Sequence, residues 1–244
     1  MNVEAGTRTR TLGDRLRSKL RAPLESVAFT VPAFVVYHVA VPFLDVRNGV
    51  DWVTGAMMRL LDASLVAYLA CTVGVGVVLT ILARRHAGPD ALRARRWALL
   101  FAESTAWAVG TFAIVGGLAS RLLDVQTGVA PRSLVEVVAT SLGAGFHEEL
   151  VFRAGLFDGG RYLLRRYARL GPWRATAIAA FGSAALFALA HHAGPTGEPL
   201  AVAPLLFRTL AGLYLTAIYA WRGFAVAVWS HALYDVLWFT WYAR

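Results

Sequence analysis

The sequence predicts an all-α membrane protein, a polytopic bundle of about seven transmembrane helices with a cytoplasmic N-terminus. Of the 244 residues, 57% are hydrophobic and only 16% are charged, whereas charged residues make up roughly 25% of a soluble domain. Apolar runs of about 20 residues, the length that crosses a bilayer, recur along most of the chain. Lys and Arg lie mainly between these runs, as expected for loops that set membrane orientation.

The predicted elements follow in order along the chain. Residues 1–26 form a basic segment with leucines at every fourth position, which indicates an amphipathic helix on an anionic membrane surface or a disordered basic tail. Pro32 and Pro42 are expected to kink or end the first span. The predicted spans are 27–44, 63–83, 97–120, 134–157, 174–192, 201–220 and 224–242. Residues 27–244 are therefore predicted to be a single transmembrane helical domain, with its chemistry in residues 134–242.

The distribution of positive charge gives the predicted orientation. With the N-terminus inside, 17 of the 24 Lys and Arg lie in the inward segments, which are the basic tail, residues 84–96, residues 159–174 and Arg222. Membrane topology thus accounts for the net charge of +9, and nucleic acid is not an expected partner. A chain rich in Ala and Arg with one Lys is typical of a GC-rich bacterial genome. We therefore expect an integral protein of a bacterial cytoplasmic membrane.

Ionisable residues inside the predicted spans are functional candidates, because a charge in the bilayer is costly. The fourth span places Glu148, Glu149 and Arg153 in one apolar helix. Glu149 and Arg153 are four residues apart and are predicted to form a buried ion pair. Glu148 points about 100° away from them and is suited to act as a general base.

Three other ionisable residues of the spans are isolated in the sequence. They are Glu103, Glu136 and Arg208. Each is expected to make a hydrogen bond between helices or to extend its head group to the interface.

Two further polar clusters lie at 187–192 and 230–235. A turn at Leu170-Gly171-Pro172 makes the fourth and fifth spans antiparallel, so Glu148 and His191 should lie at one depth. His231 should lie about 12 Å from the cytoplasmic end of its helix. The shared site is therefore expected in the inner half of the membrane, open to the cytosol.

Together these motifs resemble the CPBP intramembrane proteases, which include type II CAAX prenyl endopeptidases and bacterial Abi or bacteriocin-immunity-type proteins. The family pattern is E-E-x-x-x-R, then F-x-x-x-H, then H-x-x-x-N or H-x-x-x-D, on successive membrane helices. The chain carries all three in order, as Glu148-Glu149-x-x-x-Arg153, Phe187-x-x-x-His191 and His231-x-x-x-Asp235. The resemblance implies an endopeptidase that cleaves a membrane-embedded or membrane-proximal peptide bond with activated water.

The resemblance also implies a role for each matching residue. Glu148 and His191 would hold and activate the water, His231 and Asp235 would stabilise the oxyanion, and Glu149 and Arg153 would support the site. Aspartate at position 235 departs from the commoner asparagine. An ionised carboxylate only accepts hydrogen bonds, so we expect Asp235 to act by accepting one from His231.

Several alternatives remain. Glu148, His191 and His231 are also the ligand types of a zinc site, although the resemblance favours catalysis with no metal and no cofactor. The neighbouring His147 and His192 are expected to be structural. A transporter or proton channel, or a non-catalytic membrane scaffold, could also use buried carboxylates and histidines. The expected partners are a peptide or protein substrate in the membrane and the lipid bilayer.

Overall fold

The described part of the chain is built from helices. The computed structural model describes residues 12–44, 51–87, 93–117, 133–193 and 197–241. The helices are α1 (Leu12–Ala40), α2 (Trp52–Leu60), α3 (Leu65–Ala87), α4 (Ala94–Thr111), α5 (Leu134–Glu148), α6 (Gly160–Arg166), α7 (Pro172–Ala190), α8 (Val202–Arg222) and α9 (Phe224–Trp241). A 3₁₀ turn, Val41–Phe43, follows α1, and π-helical segments follow α4 (Phe112–Gly116) and α5 (Glu149–Gly159). The all-α prediction is confirmed for these residues.

Five helical segments are long and apolar enough to cross a membrane. They are Ser26–Phe43, Leu65–Arg85, Ala94–Gly116, Pro172–Ala190 and Val202–Arg222, and they correspond to five of the seven predicted spans. Helices α5 and α9 are not among them, and these two helices carry the Glu148-Glu149 and His231-Asp235 motif residues. The count of seven, the cytoplasmic N-terminus and the domain boundary at residue 26 stay predictions.

The first helices can be compared with the sequence prediction at three points. Helix α1 passes Pro32 without interruption, so this proline does not end the helix, whereas Pro42 lies in the 3₁₀ turn that follows it. The basic segment enters α1 from Leu12 onward, and residues 1–11 lie outside the described residues. Helix α2 has no counterpart in the predicted spans, and Asp51 caps its N-terminus by accepting a hydrogen bond from the Thr54 backbone N–H at 2.9 Å.

Helix α5 packs between α1 on one side and α9 on the other. Two glycines permit this close packing. The Tyr37 ring of α1 occupies the space that a Cβ atom on Gly143 would need, and a Cβ atom on Gly145 would lie 2.5 Å from the carbonyl oxygen of Val228 in α9. The residues that follow on α5 are thus held against two different partner helices.

Helices α5 to α7 form the predicted antiparallel hairpin. The Ser183 hydroxyl of α7 donates to the Phe152 carbonyl at 2.5 Å, and Gly160 lies against Ala179. These two contacts pair residues symmetrically about the turn before Pro172, where α7 begins. The hairpin therefore returns the end of α7, and with it His191, to the level of the last residues of α5.

Candidate active site

The candidate site begins where α5 changes into a π-helix. Glu148 is the last residue of α5 and Glu149 is the first of the π-helical segment. π-Helical turns are rare and occur frequently at functional sites. Both carboxylate residues are buried, with Glu148 6% and Glu149 0% exposed. The arrangement therefore places two successive acidic side chains inside the bundle.

Arg153 accompanies Glu149 and is itself fully buried. Its Nη1 atom lies 3.0 Å from Glu149 Oε1, so the predicted ion pair is present. Its Nη2 atom donates to the Gly212 carbonyl of α8 at 3.3 Å, and its guanidinium lies 4.6 Å from the centre of the Phe187 ring of α7. Arg153 thus joins the acidic segment to two neighbouring helices.

His231 of α9 lies among three carboxylates. Its Nδ1 atom is 2.8 Å from Glu149 Oε1, and because an ionised carboxylate can only accept, Nδ1 carries a proton and donates it. Its Nε2 atom lies 3.7 Å from Glu148 Oε2 and 3.7 Å from Asp235 Oδ2. One imidazole ring therefore connects the acidic pair on α5 with the third acidic residue on α9.

This geometry corrects the expectation that Asp235 makes the orienting hydrogen bond to His231. At 3.7 Å the Asp235 carboxylate is within ion-pair distance but too far for a hydrogen bond. Glu149 makes that bond instead, because it extends toward the ring from a facing helix. The i,i+4 spacing placed Asp235 on the correct face of α9 but could not show which carboxylate reaches the ring.

His191 caps the C-terminus of α7. Its Nδ1 atom is 2.9 Å from the Phe187 carbonyl, and the Phe187 ring lies between the His191 ring at 4.9 Å and the His231 ring at 6.0 Å. His191 is close enough to Glu148, His231 and Arg208 for electrostatic interaction. The structure thus gathers the predicted residues from α5, α7 and α9 into one cluster.

Arg208 of α8 lies at the edge of this cluster, a position that the sequence did not reveal. Its Nη2 atom is 2.6 Å from Glu198 Oε1, and only 13% of its side chain is exposed. Burial acts to raise the pKa of Glu198, but the hydrogen bond and charge of Arg208 hold it below its usual range, with smaller contributions from His191 and His192. In the sequence, the one available signal for this role was that Arg208 lies within an apolar span and has no acidic residue on its own helix to pair with.

The two other isolated acidic residues have structural partners. Glu103 accepts hydrogen bonds from Arg222 on both carboxylate oxygens, which is the predicted contact between helices. Glu136 forms a capping box with Ser133 at the start of α5. Neither residue belongs to the cluster around His231.

The two histidines beside the motifs also have other contacts. His192 Nδ1 lies 3.0 Å from the Glu198 carbonyl. His147 points to the opposite side of α5, where it meets His38 and Asp51. No motif marked these last two residues.

A comparison with protein-family models finds a match for the part of the chain that carries these motifs. Residues 130–237 match the family model described as type II CAAX prenyl endopeptidase Rce1-like. The matched residues contain all three motifs and extend from α5 through most of α9. No curated protein and no solved structure gives a significant match. The match of residues 130–237 supports membership in the CPBP family of membrane proteases, with the type II CAAX prenyl endopeptidases.

Proposed function

We propose that the protein is an intramembrane endopeptidase that hydrolyses a peptide bond of a membrane-embedded or membrane-proximal substrate. The observation that carries this proposal is the cluster in which Glu148, His191 and His231 meet beside the buried pair of Glu149 and Arg153. Membership in a membrane protease family and the five apolar helices support it. The proposal also places the whole protein in a bacterial cytoplasmic membrane.

The proposed reaction begins with proton transfer from water to Glu148. The water oxygen attacks the carbonyl carbon as the Glu148 carboxylate takes its proton. His191 holds the same water with Nε2, since its Nδ1–H donates to the Phe187 carbonyl. Collapse of the tetrahedral intermediate breaks the C–N bond, and the proton on Glu148 passes to the leaving amine. The products are a new carboxylate and a new amine.

His231 and Asp235 line the opposite side of the reacting carbonyl in this mechanism. Glu149 holds the His231 ring through Nδ1, which leaves Nε2 directed at the space next to Glu148. A ring that also carries a proton on Nε2 donates it to the oxyanion. Removing one such donor typically costs about 2.7–4 kcal/mol of transition-state stabilisation. Glu149 and Asp235 are positioning residues that act through His231.

We propose that this hydrolysis needs no metal ion or cofactor. The ligand types of Glu148, His191 and His231 make zinc the alternative. Two guanidinium groups already supply positive charge here, because Arg153 lies 3.0 Å from Glu149 and Arg208 interacts with His191. This cationic surrounding favours activation of water by Glu148 alone.

The test is a cleavage assay with the full chain in liposomes. Membrane-spanning peptides are offered together with one C-terminal CAAX peptide in prenylated and unmodified forms, and products are identified by mass spectrometry. Reaction in ¹⁸O-labelled water should place the label in the new carboxylate. Glu148→Gln should lower the rate by about 10²- to 10⁴-fold or more, because the amide cannot take the proton.

Glu103→Gln is the matched control, since it makes the same change in a residue that pairs with Arg222 away from the cluster. It should keep the wild-type rate. A Glu148→Gln protein that cleaves at the wild-type rate would refute the assigned base. A folded wild-type chain that cleaves none of the peptides but conducts protons in the same liposomes would favour the transporter alternative.

A further inference from the structure

A second buried polar cluster lies on the opposite face of α5 from His231. It contains His38 of α1, Asp51 at the start of α2 and His147 of α5. One ligand atom of each residue lies within 4.8 Å of the others. His38 is 0% exposed, and the side chains of Asp51 and His147 are each 1% exposed. The cluster is therefore enclosed by protein.

The hydrogen bonds of the two histidines leave one nitrogen of each ring unused. His147 Nδ1 lies 3.0 Å from the Gly143 carbonyl, so it must donate, and a neutral ring then has a bare lone pair on Nε2. His38 Nδ1 is engaged by the Tyr68 hydroxyl at 2.7 Å. The Nε2 atoms of both histidines are buried and make no hydrogen bond. His147 Nε2 lies at ion-pair distance from Asp51, and no hydrogen bond satisfies either nitrogen.

The third candidate ligand atom, Asp51 Oδ1, faces one of these two nitrogen atoms. Asp51 Oδ1 lies 3.4 Å from His147 Nε2, so two atoms that both accept hydrogen bonds face each other inside the protein. Such an arrangement is unfavourable unless a proton or a cation lies between them. A cation in this position would have a ligand atom on either side.

Neighbouring side chains fix the carboxylate and the rings. The Tyr37 hydroxyl donates to Asp51 Oδ2 at 2.7 Å, and the Thr54 backbone N–H donates to Oδ1 at 2.9 Å. Histidine and carboxylate ligands of metal sites are usually oriented by such outer hydrogen bonds, which also select the ring nitrogen that is left for the metal. The hydrogen bonds from Tyr37 and Thr54 to Asp51 are of this kind.

We infer that His38, Asp51 and His147 form a binding site for a divalent transition-metal ion, with zinc the favoured ion. Two imidazole nitrogens and one carboxylate oxygen are typical zinc ligands, whereas magnesium and calcium prefer oxygen ligands throughout. A bound ion would connect α1 and α2 to α5, and so join the first helices to the segment that carries the family motifs. Its role would be to stabilise the fold.

The inference does not rest on the proposed protease activity, and it changes how a chelator experiment must be interpreted. Loss of cleavage in chelator would follow from a zinc ion in either cluster. Only variants that remove the candidate ligands of one cluster at a time can show which cluster binds the metal.

The experiment measures metal bound to the full chain, purified without a histidine tag and stripped with chelator. Zinc is added back and counted by elemental analysis, and cobalt is used as a spectroscopic probe of coordination. The wild type should bind one equivalent and melt at a higher temperature when zinc is present. His38→Gln and Asp51→Asn should lose that equivalent. Tyr37→Phe keeps the ring but not the hydroxyl, so it should bind zinc about 10- to 100-fold more weakly.

Two controls separate this cluster from the one around His231. His192→Gln removes a histidine outside both clusters and should keep the bound zinc. The double variant His191→Gln/His231→Gln should keep it as well. Zinc that is lost with the double variant but retained in His38→Gln would overturn the inference. A wild-type chain that binds neither zinc nor cobalt would also overturn it, and would leave a protonated His147 paired with Asp51.

Discussion

The two faces of α5 carry adjacent polar residues in contrasting surroundings. Glu148 and Glu149 face α9, where a guanidinium and an imidazole accompany them. His147 faces α1, where it meets a second histidine and one carboxylate. Both clusters are buried, but the first has fixed positive charge and the second has imidazole nitrogen atoms without hydrogen bonds. The contrast shows that adjacent residues of one helix can have different chemistry, because the two faces of the helix pack against different neighbours.

The charged face depends on the pairing of Glu149. This carboxylate forms an ion pair with Arg153 and accepts a hydrogen bond from His231, so it balances two groups at once. The histidine face has no fixed cation among its three candidate ligands, and its charge balance changes with whatever ion or proton occupies it. The charged face should therefore be the more sensitive of the two to loss of one carboxylate.

The largest expected effect in this comparison comes from Glu149→Gln. The change leaves the Arg153 guanidinium buried without its carboxylate, and breaking such a pair typically costs about 3–5 kcal/mol of folding free energy. Cleavage should fall as well, because a neutral amide oxygen holds the Nδ1–H of His231 more weakly than the carboxylate does. Thermal or denaturant unfolding in detergent checks the first effect. Asp51→Asn in metal-free protein should cost less, since it strands no guanidinium.

The double variant Glu149→Gln/Arg153→Met distinguishes the two effects of Glu149. It removes the stranded charge, so part of the lost stability should return, while cleavage should remain low. Recovery of both stability and cleavage would mean that the negative charge of Glu149 does not act on the site through His231. A Glu149→Gln protein as stable as the wild type would argue against the buried pair.

An intermediate effect is expected from Gly145→Ala. The new Cβ atom would lie 2.5 Å from the Val228 carbonyl of α9, so α9 must move, and such overpacking typically costs about 1–3 kcal/mol. Cleavage should fall because His231 moves with α9. Zinc binding on the other face should persist. The measurements are melting temperature, cleavage rate and bound zinc on one preparation.

Gly182→Ala in α7 is the matched control for this substitution. A Cβ atom there has open space, so the change should be neutral or stabilising by up to about 1 kcal/mol. If Gly145→Ala weakened zinc binding and spared cleavage, the assignment of the two faces would be reversed.

The sequence contained enough information for the charged face and too little for the histidine face. Charged residues in an apolar helix are conspicuous because burial is costly, and this marked Glu148, Glu149 and Arg153 without any coordinates. The turn before Pro172 then placed His191 near them. Helix length and hydropathy likewise located most of the apolar helices.

The remaining features depend on contacts between distant parts of the chain. The bond between Glu149 and His231 requires the rotation of α5 against α9, which neither helix encodes by itself. Asp51 lies in a polar connection and is positioned as the cap of the unpredicted helix α2. Nothing local relates it to His38 or His147. Such a cluster becomes visible only when α1, α2 and α5 are assembled.

The smallest expected effect belongs to a change that should influence both faces of α5 equally. The Ser133 hydroxyl accepts from the Glu136 backbone N–H, and the Glu136 carboxylate accepts from the Ser133 backbone N–H, which closes a capping box. Ser133→Ala removes half of it and should cost about 1 kcal/mol of folding free energy.

Glu136→Gln is the control, because an amide oxygen still accepts and the box is retained. At a temperature where all three proteins are folded, cleavage and zinc affinity should both match the wild type, since the cap lies at the far end of the helix from both clusters. A selective loss of one activity in Ser133→Ala would mean that the N-terminus of α5 controls the rotation of the helix, and the two faces could then not be treated as independent.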